Sequence, residues 1–396
     1  MLPALLLAAA LACPFCEAPG LTLSDQLAES DIVVLAEWLE ADRGGDSPAN
    51  PAFTRFLVKK SLKGPFAEGK KLKLRGYQSG KVGETLLLTA GGGEFPEWDL
   101  PVPITADGFA YLQNNPGPDA PSAARLRYYL KHLQHPDDLV ASDAYGEFGN
   151  VPFDEVEKIA DELPREKLAN WVADPDTDPS RLAFYGMLLG LCGTEEDARV
   201  LHDRIFRGTD EYRIGIDGLM SGYLLIKGEA GLKELEDAKL RPKYVPGPNG
   251  EPLTDDAGEA IPVPYSEVYA AMQAVRFMWQ YGGDRITKDR LKEALRLQLG
   301  HSDLAEVVIA DLSRWKDWAA MDRIAGLYTK ESYDVPAVKR AIIQYLLEAE
   351  RDVPETADAD APEPPHVAKA KKYLAEIEAT DPELVERARR LLYSIF

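Results

Sequence analysis

Four stretches in the second half of the chain repeat one plan: an apolar helical end, a break, then a second amphipathic segment. They are Leu188–Leu201, Tyr223–Leu235, Phe277–Leu295 and Ile309–Ile324, with breaks at Gly193, Gly228, Gly282 and Trp315. The breaks lie 35, 54 and 33 residues apart. The long interval carries a Pro- and Gly-rich insertion, and removing roughly 20 residues restores a common period in the thirties. A fifth break is expected near Glu350, where an acidic, Pro-rich loop begins. A helix pair of this length cannot bury its apolar face alone, so the period predicts stacked hairpins forming an α-solenoid. The last helix, Asp381 to Ile395, is apolar on one face and basic at Arg387, Arg389 and Arg390, as a terminal cap would be.

The N-terminal part follows a different pattern. Asp31–Leu39, Ala52–Lys60, Lys71–Arg75 and Glu84–Ala90 are short β-like runs. Turn signals separate them at 44–48, Lys63-Gly64-Pro65 and Ser79-Gly80. Four or five short strands predict a small closed or nearly closed β-barrel. Lys70, Lys71, Lys73 and Arg75 form a basic ridge, read as a solvated edge that discourages strand pairing. Glu94–Pro101 is an aromatic and Pro-rich strap whose Trp98 is assigned to packing. After Pro116-Gly117-Pro118 the composition becomes helical. The expected fold class is therefore multidomain α and β. A small OB-like β-barrel (21–118) precedes an α-solenoid of helical hairpins (122–396) with insertions at about 241–263 and 351–365.

Ahead of both parts stands Ala4–Ala12, too short to span a bilayer but suited to a secretory signal cut before Cys13. No Lys or Arg lies near Met1, which departs from that pattern. Residues 1–12 are thus expected to be a signal peptide and 13–20 a CPFC segment. Cys13 and Cys16 have three readings: a structural disulfide, a reactive thiol or metal site, or a lipid anchor at Cys13. The third cysteine, Cys192, lies in an apolar helical stretch and reads as core. The net charge of −21 disfavours nucleic acid and anionic lipid as partners, leaving membrane attachment to an anchor at Cys13.

Two resemblances add to this. Ser30 to Ala36, then Phe56 to Gly64, behind a cysteine near the mature N-terminus, resemble the netrin-like module. That module is the OB-fold barrel of the tissue inhibitors of metalloproteinases. The resemblance implies that Cys13, as the mature N-terminal residue, chelates a protease zinc through its amine and carbonyl. The inhibitor family has several disulfides here, whereas this part of the chain has only Cys13 and Cys16. The helical part resembles divergent HEAT-like repeats; the Trp, Gly, Tyr and Pro set of tetratricopeptide repeats is absent.

Motifs for chemistry are sparse. His132 and His135 sit at metal-like spacing but lack the acidic third ligand of HExxH, and read as a helix end. Asp174, Asp176 and Asp178 lack the Gly and distal Glu of a calcium loop, and read as a turn with helix caps. No phosphate loop or nucleophile elbow is present. The expected function is an exported, non-catalytic protein-interaction scaffold with a protein partner and no cofactor. The alternatives are a thiol redox or metal-binding protein using Cys13 and Cys16, and a protease inhibitor using Cys13.

Overall fold

The computed structural model describes residues 21–45, 50–207, 213–247, 249, 251–353 and 362–393. Cys13, Cys16 and the expected signal segment lie outside the described residues, as does most of the acidic 351–365 insertion. The chain divides into two compact units, Met1–Pro164 and Arg165–Phe396.

In the first unit Thr22 opens α1 (Leu23–Glu29) with a capping box. Its hydroxyl accepts from the Asp25 amide, and the Asp25 carboxylate accepts from the Thr22 amide. Five strands follow: β1 (Ile32–Asp42), β2 (Phe53–Lys63), β3 (Lys71–Arg75), β4 (Thr85–Ala90) and β5 (Val102–Pro103). They form one antiparallel sheet in the order β3-β2-β1-β4-β5.

The sheet is not closed into a barrel, which corrects the expected closed or nearly closed one. Closure would require β3 to meet β5. Strand β5 has only two residues, and its Pro103 lacks an N–H to donate. Ile32, Val34, Ala36, Phe56, Val58, Leu72, Leu86, Leu88 and Ala90 cluster on one face of the sheet, with Trp38, Phe66, Leu74 and Trp98 packed against them. Three register shifts interrupt the β1–β2 pairing. Trp98 lies 5.7 Å from the Phe66 ring and bridges to Ala90, so the strap packs as expected.

Helix α2 (Ala106–Asn114), capped by the Thr105 hydroxyl, was not marked by the sequence pattern. The unit is completed by α3 (Ser122–Tyr129), α4 (Asp138–Gly149) and α5 (Phe153–Glu157). Hydrogen bonds tie α1 to the helices of this unit. The Leu23 amide donates to Asp143 Oδ1 of α4 at 2.7 Å, and Ser24 Oγ lies 2.8 Å from the Tyr129 hydroxyl of α3. The helix that leads into β1 is thereby fastened to the first helices of the expected solenoid.

The second unit is helical: α6 (Arg165–Ala173), α7 (Pro179–Cys192), α8 (Glu195–Phe206), α9 (Ile216–Leu235), α10 (Tyr265–Tyr281) and α11 (Lys288–Arg296) come first. Then follow α12 (Ala305–Arg314), α13 (Met321–Ala325), α14 (Pro336–Arg351), α15 (Pro365–Glu378) and α16 (Pro382–Tyr393). Each expected break is a helix boundary or interruption. Gly193 caps α7, Gly228 interrupts α9 at φ 55°, Gly282 caps α10 and Trp315 caps α12. Asp352 caps α14, where a fifth break was expected. The insertion after Arg241 pairs with itself through bridges at Tyr244–Pro262, Pro246–Pro252 and Thr254–Ala260.

Two devices lock these helices. First, α7 and α9 cross at glycines: a Cβ on Gly222 would lie 1.9 Å from the Gly186 carbonyl oxygen. Second, buried carboxylates are met by basic residues, mostly from other elements. Arg165 lies 3.0 Å from Asp197, and Arg276 lies 2.5 Å from Asp311. Arg213 and Lys239 reach Glu267 at 2.7 and 2.8 Å. Among the described residues no helix is long and apolar enough to cross a membrane.

Candidate functional site

A groove of about 600 Å³ runs between α12 and α14. Its residues fall at helical spacing on one face of each helix: Ala310, Ser313 and Arg314 on one, and Ala341, Gln344, Tyr345 and Glu348 on the other. The small side chains of Ala310 and Ala341 leave the space. The turn after α12 closes one end with Lys316 and Trp318.

That turn has the hydrogen bonding of a Schellman cap. The Asp317 amide donates to the Leu312 carbonyl at 2.8 Å, and the Lys316 amide to the Ser313 carbonyl at 2.9 Å. The position usually taken by glycine is Lys316, at φ 51°, the one non-glycine residue with positive φ among those described.

Asp352 is the hub of the site. Its Oδ1 accepts from Lys316 Nζ at 2.6 Å and its Oδ2 from Trp318 Nε1 at 2.7 Å. Nε2 of His366, from α15, lies 2.9 Å from the Asp352 carbonyl oxygen. The Trp318 ring stacks on His366 at 5.9 Å and meets Tyr345 edge-on at 5.2 Å. The Tyr345 hydroxyl donates to the Asp317 carbonyl at 2.5 Å. Burial pushes the Asp352 carboxyl up, but the Lys316 and Trp318 hydrogen bonds and the Lys316 charge outweigh it. The group is held below the ordinary carboxylate range. It is ionised and fully engaged, which makes it a poor proton acceptor.

The residues singled out from sequence lie elsewhere. Cys13 and Cys16 are outside the described residues. Cys192, at the end of α7, is half-buried. Its thiol donates to the Leu188 carbonyl at 3.4 Å, and burial pushes its pKa up to about 11, so it is an inert thiol. His132 and His135 lie in the turns after α3, their rings 5.8 Å apart. His132 packs 4.9 Å from both Tyr111 and Tyr128, and burial, then the neighbouring His135 and Lys131, hold it below the ordinary histidine value. No group of three metal-ligating side chains occurs among the described residues. Asp178 caps α7 and Asp174 accepts from the Asp176 amide, as the turn reading expected.

The groove itself escaped the sequence reading, because Lys316, Trp318, Asp352 and His366 come from three separate segments. The one local signal is Trp315-Lys316-Asp317-Trp318, two charged residues between indoles just past a helix end.

No family profile matches the chain, and no curated protein does. A solved structure of human deoxyhypusine hydroxylase in complex with glycerol matches at 17% identity. The match covers 72% of this chain and 94% of that one, with a TM-score of 0.23. At that score the likeness carries no argument.

Proposed function

We propose that the chain is an exported, non-catalytic scaffold that takes a protein partner in the α12–α14 groove. The observation that carries this is the groove's composition. Its lining combines small and aromatic side chains, Ala310, Ala341, Trp318 and Tyr345, with charges of both signs, Arg314, Lys316, Glu348 and Asp352. Aromatic side chains set among polar and charged ones are common at protein interfaces. Its acid is tied to its own neighbours rather than poised over a substrate position.

The finer architecture belongs to the same proposal. The helix pairs stack as a HEAT-like solenoid, and the first unit is an open relative of the OB-type, netrin-like sheet. Helix breaks at Gly193, Gly228, Gly282, Trp315 and Asp352 support the former. The β1 and β2 runs and the core gathered on one face of the sheet support the latter. Export rests on the Ala4–Ala12 run before Cys13.

The test is affinity isolation of the wild-type chain and of an Arg314→Glu/Lys316→Glu variant from the native cell envelope. Circular dichroism establishes that both are folded. The proposal expects a stoichiometric partner with the wild type that is lost with the variant. An unchanged partner set would remove the groove from the interaction.

A further inference from the structure

Residues 50–81 carry nine Lys and Arg side chains against a single acidic residue, Glu68, in a chain whose net charge is −21. The structure arranges these charges in rows. On one face of the sheet, Glu40 of β1 lies opposite Arg55 of β2, and Arg55 opposite Lys73 of β3. The neighbouring rows run Glu37, Leu57, Lys71 and Asp42, Phe53, Arg75. The register shift between Trp38 and Glu40 brings Glu40 into its row.

Two of the cations of β2 meet acids of β1. Arg55 is bonded to Glu40, and Lys59 lies 3.1 Å from Glu37. No such partner reaches β3: Lys71, Lys73 and Arg75 are exposed and pair with no carboxylate among the described residues. Lys73 rests instead 4.0 Å above the Phe53 ring. Strand β3 is also the last strand of the sheet on that side.

We propose that the outer edge of β3 accepts an extended acidic peptide segment of a partner protein as a sixth strand, its carboxylates at alternate positions facing Lys71, Lys73 and Arg75. The added strand would lie one strand spacing from β3, about 4.8 Å, and place a row of acids beside the row of cations, mirroring β1 beside β2. Backbone pairing supplies the strand geometry and charge supplies the selection. A lysine edge can serve merely to prevent pairing between sheets. On an otherwise acidic chain, however, an unneutralised cationic edge draws acidic segments towards it. A single-stranded nucleic acid fits less well: cations already occupy the neighbourhood of the Phe53 ring, where a base would stack, and the net charge repels phosphate. This inference concerns the first unit and does not depend on the groove.

The experiment uses the full chain and a fluorescent heptapeptide of alternating Thr and Glu, read by anisotropy at about 0.15 M ionic strength. Saturable binding is expected. Lys71→Glu/Lys73→Glu/Arg75→Glu should weaken it about tenfold or more, and Lys73→Gln, a milder change, should weaken it measurably. N-methylation of alternate peptide amides, which leaves the protein untouched, should abolish it. Four results would overturn the proposal: no binding, equal binding of the methylated peptide, equal affinity for the charge-reversed chain, or equally effective competition by oligothymidylate or anionic vesicles. Concentration-dependent dimerisation that blocks the peptide and is lost in the charge-reversed chain would assign the edge to a second copy instead, and would overturn it equally.

Discussion

Lys316 and Asp352 join the ends of α12 and α14, with Nζ 2.6 Å from Oδ1. Lys316 makes this contact from a left-handed backbone, which costs an L-residue about 1–2 kcal/mol. The ion pair is largely exposed on the lysine side, where solvent screens it, so it contributes little. Strain and contact therefore act in opposite directions. Lys316→Gly is expected to change folding stability by less than about 1 kcal/mol in urea titration, because glycine relieves the strain as the pair is lost. A loss above about 2 kcal/mol would mean that the pair outweighs the backbone term.

Asp143 gives a pH dependence of opposite sign to an ordinary ion-paired acid. Burial, and secondarily the nearby Glu147 and Asp25 charges, raise its pKa to about 6 despite hydrogen bonds from the Tyr111 hydroxyl and the Leu23 amide. The folded value lies above the unfolded one. Ionised Asp143 therefore opposes folding above pH 6, and that penalty fades as pH falls from about 6 towards 4. Relative to wild type, Asp143→Asn should be more stabilising at pH 8 than at pH 4.5, by on the order of 2 kcal/mol. Denaturant titrations at the two pH values would measure it, and a difference that does not move with pH would refute it.

The α7–α9 crossing depends on glycine. Alanine at position 222 would place its Cβ against the Gly186 backbone oxygen, which no rotamer change can avoid. The helix-propensity gain of about 1 kcal/mol is smaller than the cost of separating the helices, so Gly222→Ala should lower stability by about 1–3 kcal/mol. A stabilised variant would show that the helices separate without cost.

How much of this was readable in the sequence depended on whether the signal was local. Strand β3 is marked by Lys71-Leu72-Lys73-Leu74-Arg75, because one side meets the core and the other meets water. Helix ends are marked by Thr194, Asp178 and Gly193, whose side chains or small size cap helices whatever surrounds them. Barrel closure was not readable, because it turns on whether a two-residue strand containing Pro103 can pair with a distant one. The bond between α1 and α4 was hidden for a similar reason: Leu23 and Asp143 are 120 positions apart. Asp352 looked like one acid among many until Lys316, Trp318 and His366 converged on it.

Arg296 reaches the buried Asp317 carboxylate through two bonds, at 2.6 and 2.5 Å. Arg296→Met would leave that charge buried and alone, at a cost of about 3–5 kcal/mol. Adding Asp317→Asn removes the charge and should restore part of the loss. Urea titration of the single and double variants compares them, and equal stability of the two would show that the carboxylate finds another partner.

The groove's role is tested most directly by a photo-crosslinking amino acid placed at Gln344, inside it, with Ala368 on the exposed side of α15 as the control position. Irradiated in the native cell envelope, the Gln344 probe should give one discrete protein adduct that is absent from the control and lost when Arg314 and Lys316 are changed to Glu. An adduct pattern identical at the two positions, or none at Gln344, would contradict a scaffold that holds its partner between α12 and α14.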